Sequence, residues 1–311
     1  MHQRPIADLV DALRQMGAEI EYQATKGCPP LKIIGKKIKG SKVSLNGNIS
    51  SQYFSALMLT ASLYENPLEI NVIGKQTSSS YIDMTIKSLR DFGINFENDN
   101  YQHYKLSNLD KPKAINYLVE GDASGASYFW GFAALTSESV RVYNLSIDSI
   151  QGDIKFLEII KEMGCEVNYS NSDIPWTEVK GVNKLKAVNT NMDLLPDTAQ
   201  TLAVIAAFAE GRTKITGLHT LRHKETDRIQ AVVNELEKSG IETKATDDSL
   251  EVLGGEPKTA TYDSYDDHRM AMSFALMSCR LDDIIINDPE VVNKSFPTFF
   301  NEFQRLGIKS I

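Results

Sequence analysis

The sequence predicts an α/β (α+β) chain of two domains, built of repeated units in which sheets enclose buried helices. Three observations predict it. A polar cap, a helix and a strand, then a second polar cap, a helix stopped by Gly and another strand, recur along the chain. Two helices, Thr201–Ala209 and Met270–Met277, have hardly any polar face, which suits burial between layers. Stretches rich in turn residues, Pro29-Pro30 and residues 110–113 and 254–258, separate the units.

The chain begins abruptly. Arg4-Pro5 leads into Ile6, Leu9, Val10 and Leu13, a helix expected to carry Pro at its first position and to stop at Gly17. Residues 18–22 then alternate as a strand. Ser50-Ser51-Gln52 opens the next helix, with Phe54, Leu57 and Met58 on one face, and the strand Leu68–Val72 follows. Tyr81-Ile82-Asp83 opens another, ended by Gly93. The same order returns at Asp122-Ala123-Ser124 with Gln151-Gly152-Asp153 and Gly164, and at Asp197-Thr198 with Glu225-Thr226-Asp227 and Gly240. It returns last at Asp267-His268-Arg269 with Ser295-Phe296-Pro297 and Gly307. The helix before Gly17 reads as the second half of a unit whose first half is absent, so Met1 is not expected to be the natural start. The expected boundary near Glu120-Gly121 gives a partial first domain, residues 1–120, and a second of three repeats, residues 121–311.

Composition narrows the function. A formal charge of −8 argues against a nucleic-acid-binding face, so any anion must be drawn by a local cluster. Cys28, Cys165 and Cys279 have no metal or redox spacing and fit buried or incidental thiols in a reducing compartment. No apolar run approaches the roughly 20 residues that span a bilayer, and no leader pattern precedes the first helix. A cytoplasmic protein is expected.

The polar residues of interest gather at helix starts. Thr226 reads as the cap of an amphipathic helix carrying Ile229, Val232, Val233 and Leu236. Arg222, His223, Lys224 and Arg228 crowd its beginning around one carboxylate, Glu225. Cations there oppose the helix dipole by about 0.3–1 kcal/mol each, whereas a bound anion is stabilised. A solvated charge run with i,i+4 pairing is the plain alternative; Ser50-Ser51 and Asp197 taken alone read as caps, and His268 alone as a satisfied hydrogen-bonding residue. Arg4, Lys224, Arg228, Arg269 and Lys294 all at helix starts favour an oxyanion-binding cleft, and no His/Cys pattern supports a metal. On this reading Arg228→Ala and Arg269→Ala weaken anion binding and leave stability unchanged or slightly raised.

At Lys224-Glu225-Thr226-Asp227-Arg228 and Asp266-Asp267-His268-Arg269-Met270-Ala271-Met272 the chain resembles the 5-enolpyruvylshikimate-3-phosphate synthase family. The likeness runs through Arg4-Pro5-Ile6, Ser50-Ser51-Gln52, Ser78 to Tyr81, residues 119–124, Leu195-Pro196-Asp197 and Lys294-Ser295-Phe296-Pro297. It implies two domains, each of three βαβαββ units, with the active site between them and the first domain incomplete here, holding about one and a half repeats. It also implies transfer of the enolpyruvyl group of phosphoenolpyruvate to the 5-hydroxyl of shikimate-3-phosphate, with release of phosphate and no cofactor or metal. Arg4, Arg228, Arg269 and Lys294 would hold phosphoenolpyruvate, with Gln52 assisting and His268 beside them. Ser50, Ser51, Ser78, Asp197 and Lys224 would hold shikimate-3-phosphate, with Tyr81 and Thr220 at its phosphate; many members have Asn where Thr220 stands. Asp197 would be the general base and Glu225 the acid that protonates the methylene carbon. The family's Lys-Ser motif with its following Arg, and its Asn-Ala-Gly-Thr loop, have no counterpart, so the resemblance is to an N-terminally incomplete member. Whether such a chain turns substrate over is left open by the sequence. A monomer when full length is expected, without nucleic-acid or membrane partners. Two alternatives stand beside this: the related transferase acting on UDP-N-acetylglucosamine, and a non-catalytic anion-binding fragment.

Overall fold

In the computed structural model, which describes residue 2 and residues 4–307, the chain separates into two compact units, Met1–Leu118 and Val119–Ile311. Each has its own hydrophobic cluster.

The first unit opens with α1 (Ala7–Gln15) and the antiparallel pair β1 (Glu19–Tyr22) and β2 (Leu31–Ile34). Pro5 lies outside α1, contrary to the sequence expectation. Ile6 precedes the helix with φ −137° and ψ 7°, and its N–H donates to Gly27 O at 2.8 Å, so the helix starts two residues later. A βαβαββ unit follows: β3 (Lys42–Asn46), α2 (Ser51–Thr60), β4 (Glu69–Ile73), α3 (Ser79–Asp91), β5 (Phe96–Asp99) and β6 (His103–Leu106). Its sheet order is β3-β4-β6-β5, with β3 and β4 parallel. Phe54, Leu57 and Met58 of α2 and Ile82, Ile86 and Leu89 of α3 pack on Val43, Leu45, Ile70 and Tyr104 of the sheet. That is the burial their helical and alternating spacings demand.

The second unit repeats this plan. Its first repeat is α4 (Ala123–Thr136), β7 (Ser139–Tyr143), α5 (Phe156–Glu162), β8 (Glu166–Ser170) and β9 (Trp176–Lys180), with sheet order β7-β9-β8. The short parallel pair β10 (Leu185–Lys186) and β12 (Ala209–Glu210) joins the lead into the second repeat to the exit of that repeat's first helix. That repeat is β11 (Asn189–Asn191), α6 (Ala199–Ala206), β13 (Arg212–Thr216), α7 (Arg228–Lys238), β14 (Thr243–Ala245) and β15 (Ser249–Leu253). Its sheet order, β11-β13-β15-β14, is that of the first unit's sheet. The third is β16 (Thr261–Tyr262), α8 (His268–Ala275), β17 (Ile285–Ile286) and α9 (Phe299–Arg305), with β16 parallel to β17. All of α6, all of α8 but Arg269, and nearly all of α4 are buried, so the helices without a polar face are interior ones. α6 begins two residues before the apolar run and stops at Ala206, where the chain turns toward β12.

Two glycines mark the equivalence of the repeats. Gly181 follows β9, and a Cβ there would overlap the Ala133 carbonyl at the end of α4. Gly254 follows β15, and a Cβ there would overlap the Ala209 carbonyl just after α6. In both, the last strand of the repeat passes against the exit of its first helix, an approach only glycine permits. Gly254→Ala should therefore cost at least about 1–3 kcal/mol of stability, the scale of overpacking. Gly255→Ala, whose new Cβ would have Ile241 Cδ1 as its nearest neighbour at 3.9 Å, should stay within about 0.5 kcal/mol. Urea midpoints of the two variants check this; equal midpoints would contradict the close approach.

Candidate active site

Parallel strands bring the helix starts together. In the first unit β3 feeds α2 and the parallel β4 feeds α3, so both helices begin at one end of the sheet. The two loops are bonded to each other: Thr77 N and Oγ1 donate to Gly47 O at 3.0 and 3.1 Å, and Lys75 N donates to Asn48 Oδ1 at 3.0 Å. This gathers Ser50, Ser51 and Gln52 with Ser78 and Tyr81. Ser50 caps α2 by accepting from Gln52 N at 3.3 Å, Ser51 is buried and Gln52 is exposed. Ser78 is buried in the left-handed region at φ 49° and its side chain does not cap α3; Tyr81 N donates to its carbonyl at 3.1 Å. Arg4 joins the group because Tyr53, next to Gln52, donates its hydroxyl to Pro5 O at 2.6 Å and feels the Arg4 charge.

In the second unit β11 feeds α6 behind Asp197, and the parallel β13 feeds α7 behind Lys224-Glu225. β16 feeds α8 behind Asp267, and the parallel β17 leads to the 3-10 turn ending at Lys294. Gln151 ties two further starts, accepting from Ala123 N at 2.8 Å and donating to Gly121 O at 2.7 Å.

At the centre is Arg228, only 2% exposed. Its Nε and Nη2 donate to Asp267 at 2.7 and 3.2 Å, Nη1 to Asp197 at 3.0 Å and Nη2 to Glu225 at 2.8 Å. Asp197 also receives Arg269 at 3.1 Å and Lys224 at 3.3 Å, and Glu225 is paired with Lys294. Four cations thus meet three carboxylates, leaving the cluster close to neutral without a ligand. Sequence reasoning placed bare cations at helix starts; the structure pairs these four. The α7 cap is Asp227, not Thr226: Asp227 accepts from Gln230 N at 3.1 Å and from Arg222 at 2.7 Å. Both residues are good caps, and the carboxylate wins by serving the helix and Arg222 together.

The proton affinities follow. Burial raises the Asp197 carboxyl, but Arg269, Lys224 and Arg228 outweigh it and hold it well below the carboxylate range. Glu225 is likewise raised by burial yet brought down from 4.5 to about 2 by Arg228 and Lys294. His268 is lowered from 6.5 to about 4, first by burial and then by Arg269, so its imidazole is neutral near pH 7. Asp153 goes the other way: burial and then the Asp197 charge raise it from 3.8 to about 6. Thr220 is buried with its Oγ1 unpaired. Asp267, Asp153 and Gln151 were given no role from sequence. Asp267 had a visible signal, its cap position before His268-Arg269, but its bond to Arg228 crosses 39 residues.

Arg228 therefore carries stability, against the sequence expectation. Arg228→Met strips a buried partner from three carboxylates and should cost about 3–5 kcal/mol in urea unfolding at pH 7; a loss below about 1 kcal/mol would contradict the pairing. Because Glu225 is depressed in the folded state, the stability it contributes is present above its ordinary value of 4.5 and lost as pH falls from there through about 2. Glu225→Gln should accordingly flatten the acid limb of the stability profile over that window. An acid limb unchanged by Glu225→Gln would show that its carboxylate is not so held.

A family profile for EPSP synthase (3-phosphoshikimate 1-carboxyvinyltransferase) matches residues 1–303. The 3-phosphoshikimate 1-carboxyvinyltransferase of Haemophilus influenzae is 41% identical over 314 residues, covering 100% of this chain and 72% of its own length. The solved EPSP synthase from Acinetobacter baumannii superposes with a TM-score of 0.80 at 30% identity, covering 99% of this chain and 72% of that one. The enolpyruvyl transferase NikO from Streptomyces tendae superposes with a TM-score of 0.74 at 16% identity, over 96% of this chain and 70% of its own, a likeness of fold alone. With the motif residues assembled as described and the match running the length of the chain, this protein belongs to the EPSP synthase family.

Proposed function

We propose that the chain acts in transfer of the enolpyruvyl group of phosphoenolpyruvate to the 5-hydroxyl of shikimate-3-phosphate, releasing phosphate, a step toward chorismate and the aromatic amino acids. The observation that carries this is one buried guanidinium holding two carboxylates on separate nitrogens, Asp197 on Nη1 at 3.0 Å and Glu225 on Nη2 at 2.8 Å. A base and an acid are thereby set on either side of one cation, with Arg269 and Lys294 on their outer oxygens and Lys224 sharing Asp197 Oδ1 with Arg228.

Anionic substrates act on this arrangement by competition. The phosphate and carboxylate of phosphoenolpyruvate draw Arg269, Lys294 and part of Arg228 away from the two carboxylates, with Arg4 and Gln52 assisting. Shikimate-3-phosphate takes Lys224, the Ser50, Ser51 and Ser78 hydroxyls, and Thr220, with Tyr81 at its phosphate. Each cation withdrawn raises the proton affinity of the carboxylate it leaves. Asp197 then becomes basic enough to accept the 5-hydroxyl proton, and Glu225 becomes able to hold the proton it delivers to the methylene carbon. The 5-oxygen bonds to the central carbon of phosphoenolpyruvate, the cations balance the charge of the tetrahedral intermediate, and loss of phosphate with a methyl proton restores the double bond. The substrates supply the charge, and the chain supplies its neutralisation.

Calorimetry tests the assignment. Shikimate-3-phosphate should bind alone, phosphoenolpyruvate should bind more tightly in its presence, and UDP-N-acetylglucosamine should bind to neither state. Binding of the sugar nucleotide in place of shikimate-3-phosphate would assign the related transferase, and binding of neither would leave an anion site without this function. In a version extended to the full length of its relatives, Glu225→Gln should retain shikimate-3-phosphate affinity and release phosphate at least about 10²-fold more slowly than the same extended protein without the substitution. Parallel loss of affinity and rate would make Glu225 an organiser of Arg228 and Lys294 instead of the acid.

A further inference from the structure

The α7 helix holds the loop before α8 at two points, and only one of them belongs to the charge cluster. Arg228 at its first turn grips Asp267. Seven residues on, and therefore on the same face, Glu235 is a fully buried carboxylate with 0% exposure. Its Oε2 accepts from Asp263 N at 2.9 Å and Lys238 Nζ at 2.7 Å, and its Oε1 accepts from the Tyr265 hydroxyl at 2.6 Å. Lys238 reaches on to Asp263 Oδ2 at 2.8 Å, closing a ring around the loop entrance. Between the two grips, Tyr265 and Asp266 both sit in the left-handed region, at φ 55° and 54°. Successive non-glycine residues there are strained and persist only where their surroundings fix them. Asp267 N then donates to Ser264 O at 2.9 Å and the chain enters α8, with Asp267 accepting from Arg269 N at 2.9 Å. A core Glu is costly unless every lone pair is used, and here all the partners belong to this loop or to Lys238.

We infer that Glu235 is a positioning residue for the active site: by fixing the 263–266 loop in its strained form it sets the Asp267 carboxylate, and through Asp267 the plane of the Arg228 guanidinium and the start of Arg269. It touches no substrate. Its importance for phosphoenolpyruvate rests on the enolpyruvyl-transfer reading above, whereas its control of Arg228 does not.

The test uses Glu235→Gln and Tyr265→Phe in the whole chain. The first keeps the shape but replaces a two-oxygen acceptor by one; the second deletes only the hydroxyl, and keeps the question decidable if the first fails to fold. The readout is solvent exchange of the Arg228 Nε–H, followed by nitrogen-15 NMR and identified by its disappearance in Arg228→Lys. Glu235→Gln should speed that exchange at least about tenfold while amides of α4 and α6 hold their rates, and Tyr265→Phe should act in the same direction by less. Phosphoenolpyruvate affinity in the presence of shikimate-3-phosphate should fall about tenfold in Glu235→Gln, with shikimate-3-phosphate alone binding as before. Unchanged Arg228 exchange, or exchange that rises equally throughout the core, would reduce Glu235 to a general stabiliser and overturn the inference. If the unchanged chain binds no phosphoenolpyruvate, the proposed function falls, and the Arg228 exchange rates still decide the role of Glu235.

Discussion

A single buried cation organises the second unit. The Arg228 guanidinium, 2% exposed, spends its donors on Asp267, Asp197 and Glu225, which enter from three different helix starts. Desolvating a guanidinium costs several kcal/mol, and only bidentate, multiply hydrogen-bonded partners offset it. Those partners must therefore be delivered to one place. Parallel strand pairs do this: β11 with β13 and β16 with β17 start their helices at a common end, and the starts carry the carboxylates. The first unit uses the same device with β3 and β4, where the starts carry hydroxyls and an amide instead of carboxylates.

Self-neutralisation follows from that arrangement and shapes the chemistry. A cluster of bare cations would bind any anion strongly and would strain the fold that holds it. Here the chain's own carboxylates hold the cations and leave the cluster near neutral, and on the proposed function substrate anions enter by exchange. The same exchange explains how a carboxyl surrounded by cations can serve as an acid. Arg228 and Lys294 hold the Glu225 carboxyl down at about 2, and on the proposed function it regains a proton as they are drawn to substrate. Chemistry is thereby tied to occupancy of the site.

Much of this was legible in the sequence where the signal is local. Caps followed by apolar periodicity marked α2, α4, α6, α7 and α8, and the absence of a polar face on α6 and α8 indicated their burial. The motif residues Asp197, Lys224, Glu225, Arg228, Arg269 and Lys294, picked out at helix starts, form one ion-paired cluster. What was not legible is set by distance along the chain. Arg228 finds its partners 31 and 39 residues away, and Arg269 reaches Asp197 across 72. Spacing alone gave no reason to pair them, so a structural cation looked like a free one. The misplaced ends have nearer causes: Thr226 and Asp227 are both capping residues, and Pro5 is kept out of α1 by the bond from Ile6 to Gly27, a loop contact with no local pattern.

Exchange of protein carboxylates for substrate anions is the central claim, and the protonation of Glu225 reports it most directly. Carbon-13 labelling of glutamate, with the Glu225 carboxyl identified by its loss in Glu225→Gln, allows its titration to be followed with and without ligands. In the free protein it should titrate near 2. With shikimate-3-phosphate and phosphoenolpyruvate bound it should rise by at least about 2 pH units as Arg228 and Lys294 turn to the ligand. A Glu225 carboxyl that still titrates near 2 with both ligands bound would show that the cations never leave it, and would contradict the account.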